Sequence, residues 1–451
     1  MALVAGGLPA LTFPEPSLWL LAYVALVPLI LVIRAAPTAR EAVIRGWFGG
    51  AGFIIAVHHW LLPNVHVFIA VVAVMVGALW APWGWLTWRV LHELPSARRL
   101  AAALVLVPCG WLVIEVIRSI EYLGGPWGLM GASQWQVQPA LGLAALGGVW
   151  LVSLVVVTLN VAIAAAVAIP TARTAAAVSA TALVVGVLAW WALAPAPAQT
   201  GTVRIAVVQA GSLDDPVTRF DRGELLTQGL VGERLDLVVW GESSVGFDLT
   251  SRPDLRDRLA AGAADVGSPI LVNVDARRRD RPGISKSSVL VTADGSTDQR
   301  YDKMRLVPFG EYIPLRSALG WVSGVTEAAR VDRIRGDGPV LLDLDGLQLG
   351  PLVCFESAFP DMSRHLARRG ADLLVFQSST ATFQQSWAPE QHASLAAIRA
   401  AETWRPVVHA TLTGVSAGYD GHGRLLGSIG PSERSAQVFE IPLTSGRSPY
   451  T

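Results

Sequence analysis

The first 200 residues carry only 13 of the chain's 70 charged side chains, but they hold 13 of its 17 tryptophans. A transmembrane helix needs about 20 mostly apolar residues. The stretches that approach or exceed this length are residues 18–33, 47–62, 67–88, 101–117, 140–169 and 174–194. Residues 1–13 form a further short apolar segment without the basic start of a signal peptide. The pattern predicts a multi-span helical membrane domain of six to seven helices over residues 1–198.

The arginines in the connecting loops predict the orientation of this domain. Residues 34–46, 89–99 and 170–173 carry seven arginines, whereas the alternate loops at 63–64 and 118–139 carry one. Loops rich in Lys and Arg stay on the cytoplasmic side. We therefore expect a multi-pass protein of the cytoplasmic membrane, with residues 199–451 on the extracytoplasmic side.

Residues 199–451 have a different composition and hold 57 of the 70 charged side chains. Apolar segments with strand periodicity alternate with helical segments, three of which have Pro near their start. Such alternation predicts an α/β layered sandwich. The expected strands are residues 203–209, 235–240, 269–275, 287–293, 341–354, 373–376, 407–412, 415–420 and 436–441, and the expected helices are 225–234, 253–264, 360–369 and 389–404.

Three reactive side chains stand at or near the ends of predicted strands: Glu242, Lys303 and Cys354. Taken singly, each has an ordinary explanation, since a strand-end Glu is usually solvated and a lone Cys is usually a small buried hydrophobe. Lys303 is one of only two lysines, against 33 arginines. Together, the three supply a base, a cation for a developing oxyanion and a nucleophile. We predict that they form a catalytic triad.

Several classes of function find no support in the sequence. The net charge is zero and there is no basic run, which argues against a nucleic-acid partner. Neither a phosphate-binding loop nor a zinc-type spacing is present, so no cofactor or metal is expected.

The order Glu242, Lys303, Cys354 on an α/β sandwich resembles the nitrilase superfamily. A multi-span membrane region followed by such a domain is similar to one branch, the apolipoprotein N-acyltransferases. The match covers nearly the whole chain, and its most specific part is Leu306-Val307-Pro308-Phe309-Gly310-Glu311-Tyr312-Ile313-Pro314-Leu315. Further matches are Pro126-Trp127, Cys354-Phe355-Glu356, Gln391-His392, Arg399, Glu402, Arg405-Pro406 and Gly414.

The resemblance implies an α-β-β-α fold and an acyl transfer in two steps. Cys354 would take an acyl chain from a membrane phospholipid as a thioester, and the amine of a diacylglyceryl-cysteine at a lipoprotein N-terminus would then accept it. Glu242 would be the base and Lys303 the oxyanion stabiliser, with Glu311 and Glu356 as supporting carboxylates. The apolar segment 313–325 would contact membrane lipids, or else pack on the domain's own core.

The chain also departs from the family pattern. Trp240-Gly241-Glu242 stands where the family usually has Trp-Pro-Glu, so Gly241 replaces the Pro. Ser287 or a neighbour replaces an Asn. Residues 378–383 and 412–413 lack the Asn residues that the family usually has there. The Arg-rich, Lys-poor composition is typical of a divergent member from a GC-rich genome.

A final membrane helix usually follows a motif like Ser448-Pro449-Tyr450; either this branch lacks it, or the sequence is cut there, or the native protein continues. Two other functions stay open: a membrane-tethered hydrolase, and a low-activity scaffold for a polyprenol-phosphate glycosyltransferase.

Overall fold

The computed structural model describes residues 1–93, 95–212, 215–277, 283–321 and 331–451. The chain forms two compact units, Met1–Ala194 and Pro195–Thr451. The predicted division into a membrane domain, 1–198, and a catalytic domain, 199–451, remains a prediction.

In the first unit, the regular secondary structure of the described residues is helical. In the described residues, three helical segments are long and apolar enough to cross a membrane: Ala97–Arg118, Gln138–Ala168 and Pro170–Leu193. The pair Phe68–Gly77 and Trp80–Leu91, bent by 44°, makes a fourth if it counts as one span. The prediction of six to seven spans stays a prediction. The α-helices are α1 (Ala2–Gly7), α2 (Val27–Arg34), α3 (Ala39–Val57), α4 (Leu62–Val65), α5 (Phe68–Gly77), α6 (Trp80–Leu91), α7 (Ala97–Arg118), α8 (Gln138–Ala168, interrupted at Gly147 and Gly148) and α9 (Arg173–Leu193).

Glu115 and Arg118 near the end of α7 are buried, although their spacing alone suggests a pair that reaches for the membrane surface. They are 0% and 2% exposed. The Arg118 guanidinium donates to the carbonyl oxygens of Trp127 and Gly128 at 2.6 and 2.7 Å. Glu115 accepts from Trp111 Nε1 and from the backbone N–H of Met130. Both side chains therefore satisfy a buried, irregular segment after α7, where backbone groups need partners.

The second unit contains two mixed sheets. In the described residues each sheet has six strands, in the orders β12-β1-β2-β3-β4-β5 and β11-β10-β9-β8-β7-β6. Parallel pairs occupy the middle of each sheet and antiparallel strands the edges. The strands are β1 (Ala198–Gln209), β2 (Leu237–Trp240), β3 (Ile270–Arg277), β4 (Ile284–Val291), β5 (Arg300–Asp302), β6 (Leu342–Leu344), β7 (Leu347–Val353), β8 (Leu373–Ser378), β9 (Val407–Thr411), β10 (Ser416–Tyr419), β11 (Leu425–Ile429) and β12 (Ser435–Ser445). The helices are α10 (Pro216–Gln228), α11 (Pro253–Val266), α12 (Arg316–Leu319), α13 (Pro360–Arg368) and α14 (Ala388–Thr403).

The sheets stack face to face, and alternation along each strand divides the core into layers. Val239 and Leu271 of the first sheet pack with Val375 and Val408 of the second in one buried cluster. Their sequence neighbours point outward, where Val238 and Trp240 pack beneath α10 and α11. Helices α13 and α14 contact the second sheet. The predicted α-β-β-α sandwich is confirmed, since successive strand residues face opposite sides.

Two predicted elements differ from the structure. Residues 341–354 are a hairpin of β6 and β7 and not one strand, because Asp345 and Gly346 have φ of +50° and +93° and form its two-residue turn. The helix predicted over 225–234 begins earlier, at Pro216, where the Asp215 side chain accepts from Thr218 N. Strands β5 and β11 escaped prediction because they are short edge strands.

Gly241, directly after β2, lies against the backbone at the end of β9 in the other sheet. A Cβ built there would sit 1.9 Å from Leu412 N and 2.2 Å from the Thr411 carbonyl carbon at the end of β9. Both are backbone atoms, so the clash needs a shift of the second sheet.

We predict that Gly241→Ala destabilises the protein by about 1–3 kcal/mol, as overpacking of a core typically does. The matched control is Gly262→Ala on α11, where a Cβ would meet only Ile270 Cδ1 at 3.6 Å. The control should be neutral or stabilise by about 0.5–1 kcal/mol because Ala favours helix. Thermal unfolding of both full-length variants in detergent measures the difference. Equal midpoints for the two variants would contradict the close approach of the sheets.

Candidate active site

Cys354 follows β7 directly and begins a 3₁₀ turn, Cys354–Ala358. Its φ is +53°, a left-handed conformation that is strained for a residue with a Cβ. Its carbonyl oxygen accepts from Ser357 Oγ at 2.8 Å and lies 3.1 Å from His392 Nε2. These contacts fix the backbone of the thiol. The helix predicted from residue 360 follows this turn as α13, which begins at Pro360.

Glu242 follows β2, and its backbone N–H donates to Ser378 O at the end of β8. This contact joins the end of β2 in the first sheet to the end of β8 in the second, and it places Glu242 between the sheets. Its side chain is 3% exposed, with Oε1 2.8 Å from Lys286 Nζ and 3.6 Å from Lys303 Nζ. The carboxylate therefore faces two ammonium groups.

Lys303 forms its shortest ion pair among the described residues with Glu311, with 2.8 Å between Nζ and Oε1. Glu311 Oε2 accepts from Val307 N, so the carboxylate also closes the turn that carries it. Burial by itself would raise the pKa of Glu311, but Lys303 and Lys286 outweigh it and lower the pKa to about 2. Burial by itself would lower the pKa of Lys303, but the Glu311 and Glu242 charges outweigh it and raise the pKa. Both groups are charged at neutral pH, and a solvated surface role for Glu311 is excluded.

Glu356 is fully buried and ties the segment after Lys303 to the strand before Cys354. Burial raises its pKa, against the effect of the N–H groups that donate to it. It accepts four hydrogen bonds, from Tyr301 Oη, Met304 N and Arg305 N on Oε1 and from Val353 N on Oε2, at 2.7, 2.7, 3.0 and 2.8 Å. Glu356 therefore positions the backbone on both sides of the site.

The Cys354 thiol is protonated at rest. Burial raises its pKa to about 12, the Glu242 charge adds to that effect, and Lys303 opposes it. His392 stays neutral, because burial lowers its pKa to about 4. A thiol in this state needs a base during reaction, and Glu242 is the carboxylate whose charge acts most strongly on it.

The structure brings together all five residues predicted from the sequence and adds others. Lys286 of β4 contacts Glu242 and Glu311, and Asp275 of β3 lies 3.7 Å from Lys286 Nζ. The scarcity of lysine was the one signal that pointed to Lys286.

Among the described residues, no group of three or more His, Cys, Asp or Glu is placed to hold a metal ion. The apolar segment 313–325 is described only to Trp321; 322–330 lie outside the described residues, while Leu315 and Trp321 are 77% and 58% exposed.

Two family models match the chain. Residues 5–162 match the apolipoprotein N-acyltransferase N-terminal domain, and residues 204–448 match carbon-nitrogen hydrolase. An apolipoprotein N-acyltransferase of Azotobacter vinelandii is 32% identical over 100% of this chain and 90% of its own length. Another, of Pseudomonas paraeruginosa, is 30% identical over 100% of this chain and 91% of its own.

Solved structures resemble about half of the chain. An amidase from Nesterenkonia sp. is 21% identical, with a TM-score of 0.39 over 53% of this chain and 90% of that one. A CN-hydrolase superfamily protein from Xanthomonas campestris is 22% identical, with a TM-score of 0.39 over 54% of this chain and 91% of that one.

We predict that Glu242→Gln makes Cys354 more reactive toward iodoacetamide at pH 8. The Glu242 charge raises the pKa of the thiol, so its removal raises the thiolate fraction, about tenfold for each pKa unit. Alkylation is followed by mass spectrometry in a Cys109→Ser background, because Cys109 is also a free cysteine. Glu440→Gln, whose side chain is 74% exposed, is the control and should leave the rate unchanged. Slower alkylation of Glu242→Gln would show instead that the carboxylate deprotonates the resting thiol.

Proposed function

The chain belongs to the apolipoprotein N-acyltransferase family, and we propose that Cys354 carries the acyl chain that it transfers. The chain is a membrane protein and an acyltransferase, so the family and enzyme class predicted from the sequence are confirmed. The donor is a membrane phospholipid, and the acceptor is the α-amine of a diacylglyceryl-cysteine at a lipoprotein N-terminus. The observation that supports this assignment is the arrangement of three charged side chains at the thiol: Lys303 Nζ lies 2.8 Å from Glu311 and 3.6 Å from Glu242, and all three charges act on Cys354.

In the first step, Cys354 Sγ attacks an ester carbonyl of the phospholipid while Glu242 takes the thiol proton. The carbonyl oxygen becomes an oxyanion, which the Lys303 ammonium stabilises. The carbon–oxygen bond then breaks. Glu242 returns the proton to the leaving alkoxide, so the products are a lysophospholipid and a thioester on Cys354.

In the second step, the lipoprotein amine attacks the thioester carbonyl, and Glu242 accepts an amine proton. The carbon–sulfur bond breaks as the tetrahedral intermediate collapses, and Cys354 leaves as a thiolate. The proton on Glu242 then restores the thiol. One base therefore serves both steps, and Glu311 holds Lys303 in place through them.

Both substrates are lipids, which suits a catalytic unit placed at a membrane surface. The seven arginines of the predicted cytoplasmic loops support an extracytoplasmic location for the unit in the cytoplasmic membrane. The exposed apolar side chains of Leu315 and Trp321 support contact of this segment with lipid.

Incubation of the full-length protein with phospholipid should give one acyl adduct on Cys354, detected by intact-mass and peptide mass spectrometry. Cys354→Ala should give no adduct, because the acyl chain has no thiol to occupy. Cys109→Ser removes the other cysteine and should acylate like the wild type. Absence of an adduct on the wild type, or its presence on Cys354→Ala, would refute the assignment of the nucleophile.

Addition of a diacylated lipopeptide to the acylated enzyme should discharge the thioester into a triacylated peptide. The reason is that an amine held at the site competes with a low local concentration of water. Chromatography with mass detection separates this product from free fatty acid. Free fatty acid as the main product, at the same rate with and without peptide, would identify the chain as a hydrolase.

A further inference from the structure

Lys286 lies among the carboxylates of the site, and none of the steps above uses it. Its side chain is 13% exposed. Nζ is 2.8 Å from Glu242 Oε1, 3.5 Å from Glu311 Oε1 and 3.7 Å from Asp275 Oδ2. Glu242, Asp275 and Glu311 raise the pKa of Lys286 although burial would lower it, so the side chain is an ammonium. It and Lys303 are the only lysines of the chain.

The strand register places Lys286 in the site. Asp275 of β3 pairs directly with Lys286 of β4, and Lys303 N donates to Lys286 O at 2.8 Å. Residues opposite each other on neighbouring antiparallel strands project to the same face. Leu290, four residues along β4 on that face, belongs to the core between the sheets. Lys286 is thus built into the inner face of the sheet.

The two ammonium groups have different hydrogen-bond partners. Lys303 donates to Glu311 at 2.8 Å and stays 3.6 Å from Glu242. Lys286 donates to Glu242 at 2.8 Å and to Ser243 Oγ at 3.3 Å, and it stays 3.5 Å from Glu311. A distance of 3.6 Å is too long for a good hydrogen bond. Each carboxylate therefore has its own closest ammonium.

We propose that Lys286 is a positioning residue that holds the Glu242 carboxylate in place beside a positive charge, which leaves Lys303 for the oxyanion. This inference rests on the proposed function of Glu242 as the base. The balance of charge gives the physical reason: Glu242 and Glu311 face Lys286 and Lys303, while Asp275 also has Arg333 at 3.3 Å.

Loss of Lys286 would leave Glu242 and Glu311 sharing one ammonium in a buried site. Two carboxylates that share a site cannot both stay ionised easily. Glu311 keeps Lys303 at 2.8 Å and the N–H of Val307, so Glu242 is the carboxylate that loses its closest ammonium. A protonated Glu242 cannot act as the base, and activity then requires a higher pH.

Other titratable groups facing Glu242 do not account for such a change. Burial holds the pKa of His392 at about 4 and raises that of Cys354 to about 12, outside the range of a neutral-pH limb. Arg333 is paired with Asp275. The charged and titratable groups around Glu242 are Asp275 from β3, Lys286 from β4, Lys303 and Glu311 after β5, Arg333, Cys354 after β7 and His392 from α14.

The test is the pH dependence of single-turnover acylation of Cys354 by phospholipid, measured by mass spectrometry on full-length protein. In Lys286→Met the acidic limb should move to higher pH by about 1–3 units, the usual effect of one close opposite charge. The rate below the limb should fall at least tenfold and recover in part at high pH. Lys286→Arg keeps the charge and should keep the limb at its wild-type position. Lys286→Gln, whose amide still donates to Glu242 but carries no charge, should shift like Lys286→Met and serves if that variant does not fold.

The outcomes separate the inference from the proposed function. Absence of acylation in the wild type would overturn the thioester on Cys354 itself. Acylation of the wild type with an unshifted limb in both neutral variants overturns the role of Lys286, whether the rate is unchanged or reduced equally at every pH. A limb that shifts in Lys286→Arg as much as in Lys286→Met would also overturn it, because the charge would then be irrelevant.

Discussion

Two buried carboxylates and two buried ammonium groups neutralise each other at one end of the sandwich, and the geometry around Cys354 depends on this balance. An unpaired charge in a protein interior costs several kcal/mol, whereas a paired and hydrogen-bonded one is tolerated. Glu242, Lys286, Lys303 and Glu311 come from separate segments, yet each is 13% exposed or less at its side chain. The four side chains therefore depend on one another for their closest partners of opposite charge.

The backbone around these charges is held as firmly as the charges themselves. Glu356 uses both oxygens to bind N–H groups from the Lys303 segment and from the strand that precedes Cys354. The N–H of Glu242 binds the end of β8 in the opposite sheet. The absence of a Cβ at Gly241 permits that approach. A carboxylate used as a backbone clamp and a glycine used for close contact fix the distances on which proton transfer depends.

The raised pKa of Cys354 protects the thiol while no substrate is bound. The thiolate is the reactive form of cysteine toward electrophiles and oxidants. Because burial and Glu242 keep Cys354 protonated, the resting nucleophile is protected, and activation awaits a bound ester. Such protection suits a catalytic cysteine in the oxidising environment that the proposed extracytoplasmic location implies.

The sequence alone determined the features that depend on local composition and spacing. Apolar stretches of membrane length, the strand that ends at Cys354, and the reactive types of Glu242, Lys303 and Glu311 follow from short segments, either by periodicity or by resemblance to a family. The Asp-Gly pair at 345–346 is a further local signal, because it is typical of the hairpin turn that divides the strand predicted over 341–354. The membrane topology remains a prediction from the same local patterns.

Only the tertiary structure decided which charges meet. Lys286 is 44 residues from Glu242, and Glu356 is 52 residues from Met304, so neither contact leaves a trace in local periodicity. A Lys in a strand and a Glu after a Cys are ordinary surface residues until strand register and sheet stacking bury them. Burial then removes water as a partner, and the side chains must find each other. The reactive groups could thus be predicted from the sequence, whereas the packing of the two sheets determines which charged side chains contact them.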